Sequence, residues 1–186
     1  MLENKKVLAV VPARAGSKRC PRKNVLPYKR KPLVLWAVEV ALDCRVIDKV
    51  VVSTDDPEVV ELVTRMTKAT VIDRPAELAT DTATNEDVLR HALSLYPEFH
   101  WVILLQPTSP LRNSRDIDRT LREARHGGFD AACTYSESGK KNGAVYACTA
   151  EWLRSGKDFT NYYADPYFMD EARSLDIDYK EDFGVA

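Results

Sequence analysis

The chain has few of the features that assign a class at a glance. Its four cysteines (Cys20, Cys44, Cys133 and Cys148) form no C-x-x-C pair and follow no zinc spacing. That argues against a metal ribbon and for reduced thiols in a cytoplasmic protein, with Cys20 incidental rather than catalytic. No apolar run is long enough to cross a bilayer, and no secretory leader is expected at the start. His91, His100 and His126 show no ligand spacing and are assigned no catalytic part. Neither G-x-x-x-x-G-K-[ST] nor G-x-G-x-x-G occurs, so P-loop chemistry and dinucleotide binding lose ground. There is no internal repeat and no low-complexity tract.

What is present is an ordinary globular composition with an uneven charge distribution. The 186 residues are 45% hydrophobic and 30% charged, enough for one compact domain with a full core. The formal net charge of -1 speaks against a general nucleic-acid binder. Yet eight Lys or Arg and no acid lie between Arg14 and Lys31, whereas Asp165 to Ala186 holds seven acids against two bases. One region suits phosphate and the other a cation.

Strand and helix patterns alternate, which predicts an α/β protein with an open, doubly wound, mostly parallel sheet and helices on both faces. Strands are expected at Val7–Val11, Lys49–Thr54, Ala69–Ile72, Trp101–Leu105, Ala131–Tyr135 and Ala144–Cys148, with a last short strand or extended segment at Ser174–Asp178. Helices are expected from Pro32 to Leu42, from an Asp56 cap to Thr67, from Asn85 to Tyr96, and from Ser114 or Asp116 to about Arg125. Glu151 to Arg154 reads as a helical turn. Asp55, at the end of the second strand, reads as a turn or capping residue.

The basic stretch follows the first strand directly. At the carboxyl end of a strand in an open α/β sheet, small residues let backbone amides approach an anion while cations neutralise it. Ala13, Ala15, Gly16 and Ser17 interleaved with Arg14, Lys18 and Arg19 therefore point to a polyphosphate, most simply a nucleoside triphosphate. A solvated basic loop or a nucleic-acid patch is the competing reading. Near the other end, Asp176 and Asp178 are two apart, so an extended backbone puts both carboxylates on one face, a donor set suited to Mg²⁺.

Val11-Pro12-Ala13-Arg14-Ala15-Gly16-Ser17-Lys18-Arg19 with Pro21-Arg22-Lys23-Asn24 resembles the signature of the acylneuraminate cytidylyltransferases. Further stretches match in order: Arg74 to Thr82, Leu104 to Arg112, Asn142 to Tyr146, and Asp176-Ile177-Asp178 with Asp182-Phe183. The resemblance implies a Rossmann-like nucleotidyltransferase fold and transfer of CMP from CTP to a nonulosonic, sialic-type acid sugar, with release of pyrophosphate. It implies Arg14 and Lys18 as catalytic cations. Ala13, Arg14, Ser17, Lys18, Lys23, Asn24, Arg74, Asp81, Asn85, Gln106 and Thr108 would lie at the nucleotide, with Gln106, Asn142 and Tyr146 at the sugar. Asp176 and Asp178 would hold Mg²⁺. The expected partners are CTP and the acid sugar, with no nucleic acid and no membrane.

That family carries a long insertion before its Asn-Gly-Ala motif, supplying a dimerisation lobe and cations for the sugar carboxylate. Here only Ser136 to Lys141 stands in that place, so dimerisation is in doubt and Lys140 or Lys141 is left as the substitute cation. The helix after Asp182-Phe183 is also missing or cut short. The alternative reading is a nucleotide-binding module that lost turnover with the insertion.

Overall fold

A computed structural model describes residues 5–160 and 165–184. The first strand, β1 (Val7–Pro12), leads into the basic loop, which ends in a 3-10 turn at Lys23–Val25 and a two-stranded ribbon of β2 (Pro27–Tyr28) and β3 (Lys31–Pro32). The chain continues through α1 (Leu33–Leu42), β4 (Lys49–Thr54), α2 (Pro57–Met66), β5 (Thr70–Asp73), α3 (Asn85–Leu95) and β6 (Trp101–Leu104). Then come α4 (Ser114–Gly127), β7 (Ala131–Ser136), β8 (Lys141–Thr149), α5 (Ala150–Arg154) and β9 (Asp165–Met169).

Seven of the strands form one sheet in the order β5-β4-β1-β6-β8-β7-β9. It is mostly parallel, with β8 antiparallel to both of its neighbours. The uninterrupted apolar run of β1 follows from burial on both faces. Val7, Ala9 and Val11 pack with residues of α1, α2 and α4, whereas Leu8 and Val10 pack with α3 and α5. Helices thus cover both faces, as the alternating pattern predicts.

Local signals set the helix ends. The Asp56 side chain accepts from the Glu58 amide at 2.9 Å, with Pro57 in the first turn. Asn113 caps α4 and forms a reciprocal box with Asp116, and Gly128, at φ 71°, closes it. The sequence reading differs most in the tail. The last strand is β9, parallel to β7, and not Ser174–Asp178, which has no strand partner among the described residues.

Topology decides where a ligand fits. From β1 the chain moves outward to β4 and β5, then returns to the other side of β1 as β6. The loops leaving β1 and β6 therefore diverge at a switch in strand order, where open α/β sheets form their binding crevice.

Candidate functional site

The crevice at that switch holds a cavity of about 260 Å³, lined by Arg14, Ser17, Lys23 and Asn24 from the basic loop, Arg74, Thr80 and Asp81 beyond β5, Asn85 at the start of α3, and Gln106 and Thr108 beyond β6. A second cavity of about 450 Å³ shares Arg14, Ser17, Lys23 and Asp81 with it and adds Lys18, Arg19 and Asp178. The two are one continuous cleft. It brings the loop's Arg19 and Lys23 together with the tail's Asp178 although they are more than 150 residues apart in sequence.

The end of β4 builds the loop's base. The Ala13 amide donates to the Ser53 carbonyl at 2.9 Å, and the Thr54 hydroxyl donates to the Ala13 carbonyl at 2.6 Å. Asp55 accepts from the Ala15 amide at 2.9 Å, so it anchors the loop. Sequence reasoning assigned Asp55 a turn or cap, because nothing local shows which backbone a carboxylate will meet 40 residues away. Asn24 completes the frame by donating to the Arg14 carbonyl at 3.0 Å. Arg74 is buried and donates to the Ser53 hydroxyl at 3.1 Å and the Ser53 carbonyl at 2.8 Å. Burial lowers its pKa to about 10, with Asp55 opposing and Arg14 adding to the shift.

The five cations from Arg14 to Lys23 each meet an acid. Arg14 contacts Asp81 at 2.6 Å, and Lys18 pairs with the same carboxylate. Together, Lys18 first, they hold Asp81 below the usual carboxylate range. Arg19 contacts Asp178 at 2.6 Å, Lys23 contacts Asp178 at 3.3 Å, and Arg22 meets Glu58 at 2.7 Å. Apart from Lys23 these groups are partly or well exposed to water, which screens such pairs, so a polyphosphate that gathers several cations at once competes readily with single carboxylates.

The tail enters through Ile177, fully buried against Tyr28 and Leu33, with its amide donating to the Thr108 carbonyl at 2.8 Å. Asp176 and Asp178 flank this anchor. Asp178 faces Arg19 and Lys23, while Asp176 hydrogen-bonds Thr108. The outer edge of Asp176 is open to solvent, yet the protein packed behind it pushes its carboxyl above the usual range. The Thr108 bond opposes that rise, and the neighbouring charge of Asp178 adds to it. Two carboxylates repelling each other at the edge of a phosphate-sized cleft fit a hard divalent cation that takes its remaining ligands from phosphate and water. Among the described residues no third His, Cys, Asp or Glu joins them.

Four expected residues lie off the walls of these cavities. Ala13 is buried, with both backbone groups engaged as above. Asp176 reaches the cleft through Thr108. Tyr146 packs against Phe159 with the rings tilted by 54° and 5.0 Å between centroids, and burial raises its hydroxyl pKa. The Asn142 amide is engaged on both sides: its oxygen accepts from Thr134 at 2.6 Å and from the Ala144 amide at 3.1 Å, and its nitrogen donates to Ser174 at 3.0 Å and to Met169 Sδ at 3.5 Å. Gly143, at φ 71°, lies so close to Gln106 that a methyl group there would sit 2.5 Å from Oε1. Lys141 donates to the Phe159 carbonyl at 2.8 Å, which leaves Lys140 as the exposed cation of that hairpin.

Fold and cleft together define an α/β domain of the nucleotidyltransferase type, with cations from one loop and Asp178 from the tail facing a shared crevice. The chain belongs to the cytidylyltransferase family, whose sequence profile matches residues 8–156. It is 31% identical to the N-acylneuraminate cytidylyltransferase of Escherichia coli over 215 residues, covering 97% of this chain and 51% of that protein. It is 27% identical to the CMP-N,N'-diacetyllegionaminic acid synthase of Legionella pneumophila, covering 97% of this chain and 94% of the other. Among solved structures, a CMP:2-keto-3-deoxy-manno-octonic acid synthetase complexed with CTP superposes with a TM-score of 0.78 at 19% identity, covering 95% of each chain. The chain spans about half the length of the Escherichia coli protein. No helix among the described residues is long and apolar enough to cross a membrane.

Proposed function

We propose that this chain transfers CMP from CTP to a nonulosonic acid sugar, releasing pyrophosphate. The observation that carries the reading is the single cleft in which Arg14, Ser17, Lys18 and Lys23 face Asp178, with Thr108 and its partner Asp176 at the rim. The anomeric hydroxyl of the sugar attacks the α-phosphorus, and the bond to the β-phosphate oxygen breaks. No covalent protein intermediate is required. Arg14 and Lys18 neutralise charge that grows on the phosphate oxygens, and their shared partner Asp81 holds them beside the cleft before the substrate arrives. Gln106, seated against Gly143, and Asn24 supply amide edges for the base and sugar. Mg²⁺, held by Asp176 and Asp178, would supply further charge neutralisation at the phosphates when bound.

The two sequence relatives named above carry N-acylneuraminate and N,N'-diacetyllegionaminic acid in their names, which supports that acid-sugar class for this chain, whereas the octonic acid synthetase, at 19% identity, supports the fold. The match to the Escherichia coli protein runs over more residues than this chain possesses, which supports a missing insertion. We place it at the β7–β8 hairpin, where the lobe for dimerisation would stand. Residues 1–186 then form one catalytic domain, with its oligomeric state set by what remains.

Release of pyrophosphate from CTP and Mg²⁺, assayed over a panel of nonulosonic acids, tests the reading. Sugar-dependent release with at least one panel member is expected. Saturable CTP binding without release from any sugar would instead identify a binding module that no longer turns over.

A further inference from the structure

The carboxylates Asp176 and Asp178 lie in a segment that is neither helix nor strand, so something else must fix them over the cleft. Immediately upstream, the Arg173 guanidinium donates through Nε and Nη2 to both oxygens of Asp116, each at 3.1 Å. Asp116 is fully buried, and its Oδ2 also accepts from the Asn113 amide at 3.0 Å. A two-pronged, charge-assisted contact to a buried carboxylate is directional and hard to replace with water. The next residue, Ser174, receives the Asn142 amide, and Ile177 is hydrogen-bonded to Thr108. The tail is therefore latched to α4, then to β8, then to the loop beyond β6, and the aspartates follow directly.

We propose that Arg173 is a positioning residue which, through Asp116 at the start of α4, holds the carboxylate pair over the nucleotide cleft. The proposal rests on the metal reading of Asp176 and Asp178 given above. Arg173 itself touches neither cleft cavity. Its loss frees the tail without removing any group that lines the cleft.

The test compares wild type, R173A and R173K, with two readouts besides turnover. Hydrogen exchange is followed at the Ile177 amide in the metal-free protein, with β1 and β4 amides as internal reference. Mn²⁺ binding in the presence of CTP is followed by paramagnetic resonance. In R173A the Ile177 amide should exchange at least about tenfold faster while the reference amides do not change, and Mn²⁺ affinity should fall by about 10–100-fold, the range seen when a partner behind a metal ligand is removed. CTP affinity without metal should stay within about twofold. R173K keeps the charge but not the fork, so it should fall between the two. Because it is the milder change, it also carries the test if R173A does not fold. Unchanged exchange and Mn²⁺ binding in R173A, or in R173K where only that variant folds, overturns the latch, as does a parallel rise in exchange at β1 and β4. Absence of Mn²⁺ binding in the wild type overturns the metal reading itself, and is recognisable because no variant is involved.

Discussion

Arg14→Ala should lower kcat/KM for CTP-dependent pyrophosphate release by about 10²–10³-fold, the cost of deleting one fixed donor aimed at developing charge. The arginine sits in the wall common to both halves of the cleft, and its carbonyl is held by Asn24. Its guanidinium is aimed by its bonds to the Asp81 carboxylate at 2.6 Å and the Ala79 carbonyl at 3.4 Å. The deletion also leaves Asp81 with Lys18 as its remaining cation, so the carboxylate repels phosphate more strongly. Stability should change little, because the contacts that are lost, to Asp81 and the Ala79 carbonyl, lie at the partly exposed wall of the cleft. Steady-state kinetics beside a thermal melt checks both statements, and a matched loss of Tm and activity would show that Arg14 supports the fold rather than the chemistry. Lys18→Ala should act more weakly: the Lys18 side chain is 82% exposed and is fixed by Asp81 alone among the pairs seen.

Asp178→Asn separates two roles that this carboxylate could play. If it serves only as the counter-ion of Arg19 and Lys23, neutralising it frees two cations, so CTP should bind more tightly with or without metal. If it is a metal ligand, CTP binding without metal holds or strengthens, while the apparent affinity for Mg²⁺ in the presence of CTP falls by about 100-fold or more. The second pattern is expected, because Asp176 stands beside Asp178 and the repulsion between them has no purpose in a simple ion pair. Titrating Mg²⁺ against turnover at fixed CTP, alongside calorimetry without metal, distinguishes the patterns. An unchanged Mg²⁺ requirement would remove Asp178 from the metal site.

Much of the scaffold could be read from local chemistry. Asp56 before Pro57 marked the start of a helix, and the run from Val7 marked a strand buried on both faces, because each signal acts within a few residues. Of the two starts read for α4, Ser114 is the one observed, and Asn113 immediately before it is the cap. The cleft was legible in outline: the loop after β1 and the segment after β6 both leave carboxyl ends of parallel strands, and topology places them side by side. What stayed hidden depends on contacts distant in sequence. β9 pairs in parallel with β7 at the sheet edge, and no turn between them announces it. Asn142 carries no mark showing that its amide is engaged by Thr134, Ala144, Ser174 and Met169. Asp55 and Arg173 look like ordinary surface charges until Ala15 and Asp116 are seen opposite them.

Calorimetry of CTP binding beside ATP, GTP and UTP, each with and without Mg²⁺, tests the central claim most directly, since it needs neither the sugar nor turnover. Binding of CTP at least about tenfold tighter than the other three, a margin of about 1.4 kcal/mol, and tighter again with Mg²⁺, is the predicted result. Equal affinity for all four nucleotides, or no binding of any, would contradict it.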